Sequence, residues 1–389
     1  MIIERQIYKE IKKYLTSPEA IIITGLRRTG KTTLIKYIYE KVNSTNKIFL
    51  DLENPLNQRY FENDNFEQIK FTFETLGLNF NKKTYIFLDE IQLVRNIPNI
   101  VKYFIDHYNV KFFLTGSTSF YLKNLFSESL AGRKYIFELY PFNFQEFLLL
   151  KQAGIRLPSK HSKITSSIYQ TLIRHYEEYM IYGGFPQVIL KESVEEKKKV
   201  FEDIFSSYFQ LEVKQLGDFR KISKIRDLII LLYSRVGTKL DINKLSQEIN
   251  ISRPTIYEYI SFLEGTYFIK LVKPYSKNKD IEIRKTPKIY ACDSGLLNYL
   301  VNLDKGRIFE QNIFQQLINK GEVNYYQKKS GQEIDFILDK KISFEVKLTP
   351  TQSDLNRLKR LSSAIDIKNY KIISYNFSNL DHIIYPFDI

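Results

Sequence analysis

Tryptophan is missing from this chain, and cysteine occurs once, at Cys292. A single cysteine excludes an intrachain disulfide and any zinc site built on clustered thiolates. Histidine is nearly as scarce. His107, His161, His175 and His382 stand far apart without ligand spacing, which argues against a histidine-rich metal centre. No run approaches the ~20 apolar residues that span a bilayer. The opening Met1-Ile2-Ile3-Glu4-Arg5 turns charged at once and has no apolar signal core. A cytoplasmic protein with no membrane partner is expected.

What is present favours a folded chain with an anionic partner. The 389 residues suggest two or three domains, and a hydrophobic share of 43% is ample for packed cores. The 28 Tyr and 29 Phe read as core filling. Lys and Arg outnumber Asp and Glu by 58 to 44. Between Lys214 and Lys288 there are 16 basic and 8 acidic side chains, so more than half the excess sits in about a fifth of the chain. Such a concentration favours nucleic acid over a merely solvated surface.

The first half alternates β-branched or aromatic runs with helical stretches. Strands are expected at Ala20–Thr24, Lys47–Leu52, Thr84–Leu88, Lys111–Thr115 and Arg133–Leu139, with helices at Lys31–Val42 and Asn99–His107. That alternation implies a parallel sheet covered by helices on both faces. Residues 144–209 read as mostly helical, a candidate lid.

Gly25-Leu-Arg-Arg28-Thr29-Gly30-Lys31-Thr32 fits G-x-x-x-x-G-K-[ST], followed by Thr33 at the start of a helix. A chance match in a chain this long is on the order of one per cent. The strand before it and the helix after it are the context a phosphate loop requires. Backbone N–H groups from Gly25 to Thr33, with Arg28 beside them, would cradle the phosphates. Lys31 would reach the β/γ-phosphates, and the Thr32 hydroxyl would ligate Mg²⁺. The strand Tyr85–Leu88 ends in Asp89-Glu90. Asp89 would hold the magnesium and Glu90 would orient the attacking water. A polar tip at Thr115 or Ser117 would position that water. Arg133 would stabilise transition-state charge in its own subunit or in a neighbour's, the latter requiring a homo-oligomer.

These motifs resemble the AAA superfamily of ATPases. They are closest to the prokaryotic ATPases that carry G-[LP]-R-R-x-G-K-T, LDE-I-Q, TGS and AGR, here Gly25–Thr32, Leu88–Gln92, Thr115–Ser117 and Ala131–Arg133. Leu139-Tyr140-Pro141-Phe142 and Gly183-Gly184-Phe185-Pro186 also fit. The resemblance implies ATP as nucleotide and a five-stranded sheet in the order 5-1-4-3-2. It supplies no substrate.

The middle segment reads as helix Leu240–Asn250, turn Ile251-Ser252, helix Arg253–Glu264 and a hairpin of Tyr267–Lys273 with Ile281–Arg284. This is a winged-helix order. Arg253, Thr255 and Tyr257 would enter a major groove of DNA, while Lys277, Lys279, Arg284 and Lys285 would track phosphates. The same fold also serves as a protein-docking module.

Near the end, Glu310 lies on a helical stretch, Asp335 on a strand, and Glu345 and Lys347 on the next strand, two apart and therefore on one face. Asp335 and Glu345 would hold Mg²⁺, with Glu310 and Lys347 completing a phosphodiesterase site. The order helix, three strands, helix, strand resembles the restriction-endonuclease-like fold with its (D/E)…D…(D/E)-x-K motif. An active site, an inactive form of that fold and mere charges on an exposed hairpin face all remain open. The expected class is α/β: a P-loop AAA-type sheet with helical lid over 1–210, a winged helix over 211–295 and a restriction-endonuclease-like domain over 296–389. The expected function is Mg²⁺-dependent ATP hydrolysis coupled to DNA binding and cleavage. The alternative is a regulatory switch that binds protein partners.

Overall fold

The computed structural model describes residues 2–116, 130–158, 164–213, 222–278, 282 and 285–389. Two compact units divide the chain. Residues 1–140 and 265–267 form unit 1, and residues 141–264 and 268–389 form unit 2.

Unit 1 is a parallel sheet of β1 (Ala20–Thr24), β2 (Lys47–Asp51), β3 (Thr84–Asp89), β4 (Val110–Gly116) and β5 (Lys134–Glu138) in the order β2-β3-β4-β1-β5. Read from the other edge this is 5-1-4-3-2, as the resemblance implies. β1 is buried at all five positions, which is why it reads as one unbroken apolar run. Its side chains alternate between two cores. Ile21 and Ile23 pack with Leu34, Ile35 and Ile38 of α1 (Lys31–Lys41). Ala20 and Ile22 face the opposite core. That core takes Ile69 and Phe73 from α2 (Phe66–Thr75), and Ile100, Val101 and Phe104 from α3 (Ile97–His107). The two-faced burial fixes the register and brings the carboxyl ends of β1, β3 and β4 together.

Unit 2 begins with the helices α4 (Phe144–Leu150), α5 (Ser166–Tyr182) and α6 (Val194–Leu211). These are the helices expected as a lid. Then follow α7 (Ile222–Tyr233), α8 (Ile242–Ile249), α9 (Arg253–Gly265) and an antiparallel ladder of β6 (Ile269–Val272) with β7 (Lys288–Ala291). The return strand was expected at 281–284, where most residues lie outside those described. The strand that pairs with β6 is instead Lys288–Ala291, whose four side chains are all buried.

After α10 (Ser294–Leu300) and α11 (Lys305–Leu317) comes the second sheet. It contains β8 (Val323–Gln327), β9 (Glu333–Leu338), β10 (Ile342–Lys347), β11 (Asn369–Ser374) and β12 (Ile383–Ile384), in order β12-β11-β10-β9-β8. β8, β9 and β10 are antiparallel neighbours, while β10, β11 and β12 are parallel. α12 (Gln352–Ser363) makes the β10-to-β11 crossover and buries Leu355, Leu358 and Leu361 against Ile334, Ile337 and Ile372.

Within unit 2, Phe142 and the Gly-Gly-Phe-Pro motif hold each other. The Phe142 amide donates to the Gly184 carbonyl at 2.8 Å. Asp293, fully buried, accepts from the Gly184 amide at 2.7 Å and from the first turn of α10. A Cβ on Gly183 would lie 2.0 Å from the Asp293 carboxylate, so only glycine fits. The Gly-Gly-Phe-Pro motif is therefore a packing feature.

Candidate nucleotide site and the carboxylate cluster of unit 2

Beyond Thr24 the chain turns sharply at Gly25. A Cβ there would stand 2.2 Å from the Leu139 carbonyl oxygen. Arg28 takes a left-handed φ of 64°, and Gly30, at φ 94°, begins α1. Lys31 is buried, and its ammonium donates to the Gly25 and Leu26 carbonyls at 2.9 Å each. The cation thus sits at the mouth of its own loop. Thr29 is fully buried and ties the loop to the Leu26 carbonyl at 2.8 Å. Thr32 is half-buried and Thr33 exposed on the first turn of α1.

Arg5 was not foreseen. Its buried guanidinium donates to the Thr29 carbonyl and to the Tyr140 carbonyl at 2.8 Å each. No local pattern marks it, because its partners are 24 and 135 residues away.

Asp89, at the end of β3, is 2% exposed. Burial raises its carboxyl above the usual range, while hydrogen bonds from the Thr115 and Thr32 hydroxyls pull the other way. Thr115 at the tip of β4 donates to Asp89 and lies 3.4 Å from the Glu90 amide. Of the two residues expected at this tip, Thr115 is therefore the one seen beside Asp89, and Ser117 lies outside the described residues. Glu90 has a left-handed φ of 55° and accepts from the Gln92 amide. Glu53 was also missed. Burial and then Glu90, Asp51 and Asp89 raise its carboxyl, against Arg27. Several carboxylates thus share the strand ends beside the loop. The Thr32 hydroxyl and the Asp89 carboxylate are adjacent hard oxygen donors, which suits Mg²⁺.

Arg133 lies elsewhere. β1 and β5 run parallel with Ala20 opposite Lys134 and Thr24 opposite Glu138. Arg133 therefore sits at the amino ends of the strands, about 13 Å along the sheet from the phosphate-loop end. It pairs with Asp106 at 2.6 Å. The geometry removes a role for Arg133 at its own subunit's phosphate loop.

Thr24, beside the loop, has a further partner. The Tyr267 hydroxyl lies 2.6 Å from the Thr24 hydroxyl and donates to Glu138 at 2.9 Å. Tyr267 is buried with a left-handed φ of 62°.

In unit 2, Arg253 and Tyr257 are exposed near the start of α9. Thr255 is half-buried, and its hydroxyl lies 2.8 Å from that of Ser252. Lys277 is paired with Asp366. Lys279 and Arg284 lie outside the described residues. Lys285 lines a cleft of about 320 Å³ together with Lys239, Lys328 and Lys329. Among the described residues lining this cleft none is acidic, and none of the four lysines has an ion-pair partner.

Glu310, Asp335, Glu345 and Lys347 do come together. Asp335 is 7% exposed and accepts from the Val346 amide at 2.8 Å. Glu345 is 2% exposed and pairs with Lys347 at 3.1 Å and with Arg357. Burial and then the Asp335 charge push Glu310 and Glu345 up to about 7. Burial also raises Asp335.

Lys288 of β7 enters the same cluster and was not foreseen as a member. It is 3% exposed and pairs with Glu333 at 3.2 Å. Burial pulls its ammonium down, but Glu310, Glu333 and Asp335 more than offset this and hold it above its ordinary value. Among the described residues, no group of three His, Cys, Asp or Glu side chains is arranged to hold a metal ion. The expected metal ligands Asp335 and Glu345 already have protein partners. A divalent cation does not fit this donor set as it stands.

Residues 17–148 match a family model described as an AAA domain. Residues 173–307 and 305–383 match two further models, each described as a domain of unknown function (DUF8612 and DUF4143). The chain is 29% identical to the uncharacterized protein MJ1544 of Methanocaldococcus jannaschii, over 97% of this chain and 87% of that protein. It is 25% identical to an uncharacterized protein of Haemophilus influenzae, over 86% and 84%. Similar solved structures include the Walker-type ATPase PABY2304 of Pyrococcus abyssi, with TM-score 0.46 and 15% identity over 77% of this chain and 96% of that one. Another is the Aeropyrum pernix ORC1 protein in complex with DNA, with TM-score 0.33 and 11% identity over 77% and 93%. The residues that the AAA domain model matches carry the five-stranded parallel sheet and the Gly25–Thr32 loop. No helix among the described residues is long and apolar enough to cross a membrane.

Proposed function

We propose that the chain hydrolyses ATP with Mg²⁺ and couples hydrolysis to binding of DNA. The observation that carries the first part is the meeting of Thr32, Asp89 and Thr115 beside the Lys31 loop. Thr32 and Asp89 would hold the Mg²⁺, which neutralises phosphate charge when bound. Lys31 would exchange the Gly25 and Leu26 carbonyls for phosphate oxygens. Glu90 would orient the attacking water and take its proton. Thr115 would keep Asp89 oriented and ionised. Arg133, at the other end of the sheet, would reach only the nucleotide of a neighbouring copy.

Phosphate release from Mg-ATP tests this. Wild type should turn over, Glu90→Gln should fall about 100-fold or more while still binding nucleotide, and Lys31→Ala should lose binding. Equal turnover by Glu90→Gln and wild type would reject the assignment.

DNA binding is supported by the cleft lined by Lys239, Lys285, Lys328 and Lys329. Four cations with no carboxylate partner among the described residues repel one another, and a phosphate backbone would relieve that repulsion. Affinity for duplex DNA should fall steeply between 50 and 200 mM salt, with a slope reduced by about one for each cleft lysine changed to glutamine. Salt-independent binding would sink this reading. For the carboxylate cluster, its three protein cations favour the inactive form, a nuclease-like fold that does not cut DNA.

A further inference from the structure

The (D/E)…D…(D/E)-x-K pattern carries the expectation of a divalent metal. We propose instead that the cluster is an ionic lock whose resident cation is Lys288. The inference is independent of ATP hydrolysis.

Four carboxylates, Glu310, Glu333, Asp335 and Glu345, meet three cations, Lys288, Lys347 and Arg357. Lys347 belongs to the sequence pattern, but Lys288 and Arg357 are additions to it. Each takes up negative charge that a metal would otherwise balance. Lys288 is 3% exposed, and a buried ammonium persists only when paired. It is 3.2 Å from Glu333, with Glu310 and Asp335 acting on it as well, and its ammonium lies 5.3 Å from the centre of the Tyr325 ring.

The delivery is specific. Residues two apart on a strand share a face, so β7 presents Lys288 and Tyr290 together. The Tyr290 hydroxyl donates to Glu310 at 2.7 Å. Its ring stacks on Phe314 at 4.4 Å and packs on Phe336 at 5.4 Å, which fixes the strand over the acids. Every carboxylate of the cluster has at least one oxygen engaged by a protein donor. The Glu345 Oε2 is buried without a hydrogen-bond partner. A metal would have to displace a tethered ammonium held at high effective concentration. The lock also fastens the β6–β7 ladder to the sheet of β8–β12 within unit 2.

The test uses the full chain without nucleotide. Mn²⁺ is titrated and free Mn²⁺ read by electron paramagnetic resonance, for wild type and Asp335→Asn. Any ion at the phosphate loop cancels in the comparison. The expected result is equal stoichiometry, and one extra Mn²⁺ per wild-type chain would overturn the proposal. Independently, Lys288→Met should lower the melting temperature by about 6–15 °C, since it strands buried carboxylates. Lys288→Met with Glu310→Gln should recover at least half of that loss. A Lys288→Met chain as stable as wild type would overturn the lock. If Lys288→Met does not fold, Lys288→Arg decides. It keeps the charge and should melt within about 4 °C of wild type, and failure of this variant too would assign the effect to shape and reject the proposal.

Discussion

The guanidinium of Arg5 donates to the carbonyl oxygen of Thr29, inside the phosphate loop, at 2.8 Å. A second bond, to the Tyr140 carbonyl, anchors the same group where unit 1 leaves β5. The loop is thus braced by a charge from the start of the chain. Arg5→Ala should weaken ADP binding about tenfold and raise KM for ATP more than it lowers kcat. Arg5→Lys should restore part of the loss. Calorimetric ADP affinity within twofold of wild type would show that the brace does not matter.

Gly25 approaches the Leu139 backbone too closely for any side chain. Its φ of 147° is a second barrier to substitution. Gly25→Ala should destabilise unit 1 by about 3 kcal/mol or more and abolish nucleotide binding. Urea unfolding with and without ADP measures both effects.

Lys111, on β4, is fully buried, and burial lowers its ammonium to about 7, with Glu19 opposing. It donates to the Ser17 hydroxyl at 3.1 Å and to the Glu19 carbonyl at 2.5 Å. The folded state binds this proton more weakly than the unfolded chain. The cost is therefore full below about pH 7 and shrinks as pH rises toward the ordinary value of 10.5. Lys111→Met should raise the melting temperature by about 2 °C or more at pH 6, and by less at pH 9.

The carboxyl of Glu310 moves the other way. Burial and Asp335 hold it near 7, against 4.5 in an unfolded chain. Between those values the folded state keeps a proton that the unfolded state has released, so stability falls as pH rises through that window. Glu345 and Asp335 act in the same direction. Unit 2 should resist urea better at pH 6 than at pH 8. Glu310→Gln should flatten that dependence, and an unchanged slope would show that Glu310 does not titrate there.

The sheet of unit 1 was legible because its central strands β1, β3 and β4 are buried on both faces and read as largely apolar runs. Gly25–Thr32 and Asp89-Glu90 stood out because the proposed phosphate chemistry needs fixed residue types at a fixed spacing. Arg5, Glu53 and Lys288 carried no such mark, since each acquires its role from partners far along the chain. Lys288 shows the difficulty best. A lysine opening a buried strand contradicts strand patterning until the acids opposite are known. From the sequence alone the return strand is expected at Ile281–Arg284. Arg133 was visible as a candidate, but a residue that precedes its strand in a parallel sheet lies at the amino ends, opposite the loop that follows β1.

Tyr267 has a consequence for how this protein can be divided. Residues 265–267 belong to unit 1, while the residues on either side of them belong to unit 2. The hydroxyl that meets Thr24 and Glu138 is thus supplied by a three-residue loan from late in the chain. A gene fragment ending after Tyr140 would encode all five strands and the phosphate loop, yet leave Thr24 facing a vacancy. Unit 1 is therefore no transferable cassette: recombination that exchanged the later chain would also exchange a tyrosine lodged beside the nucleotide loop.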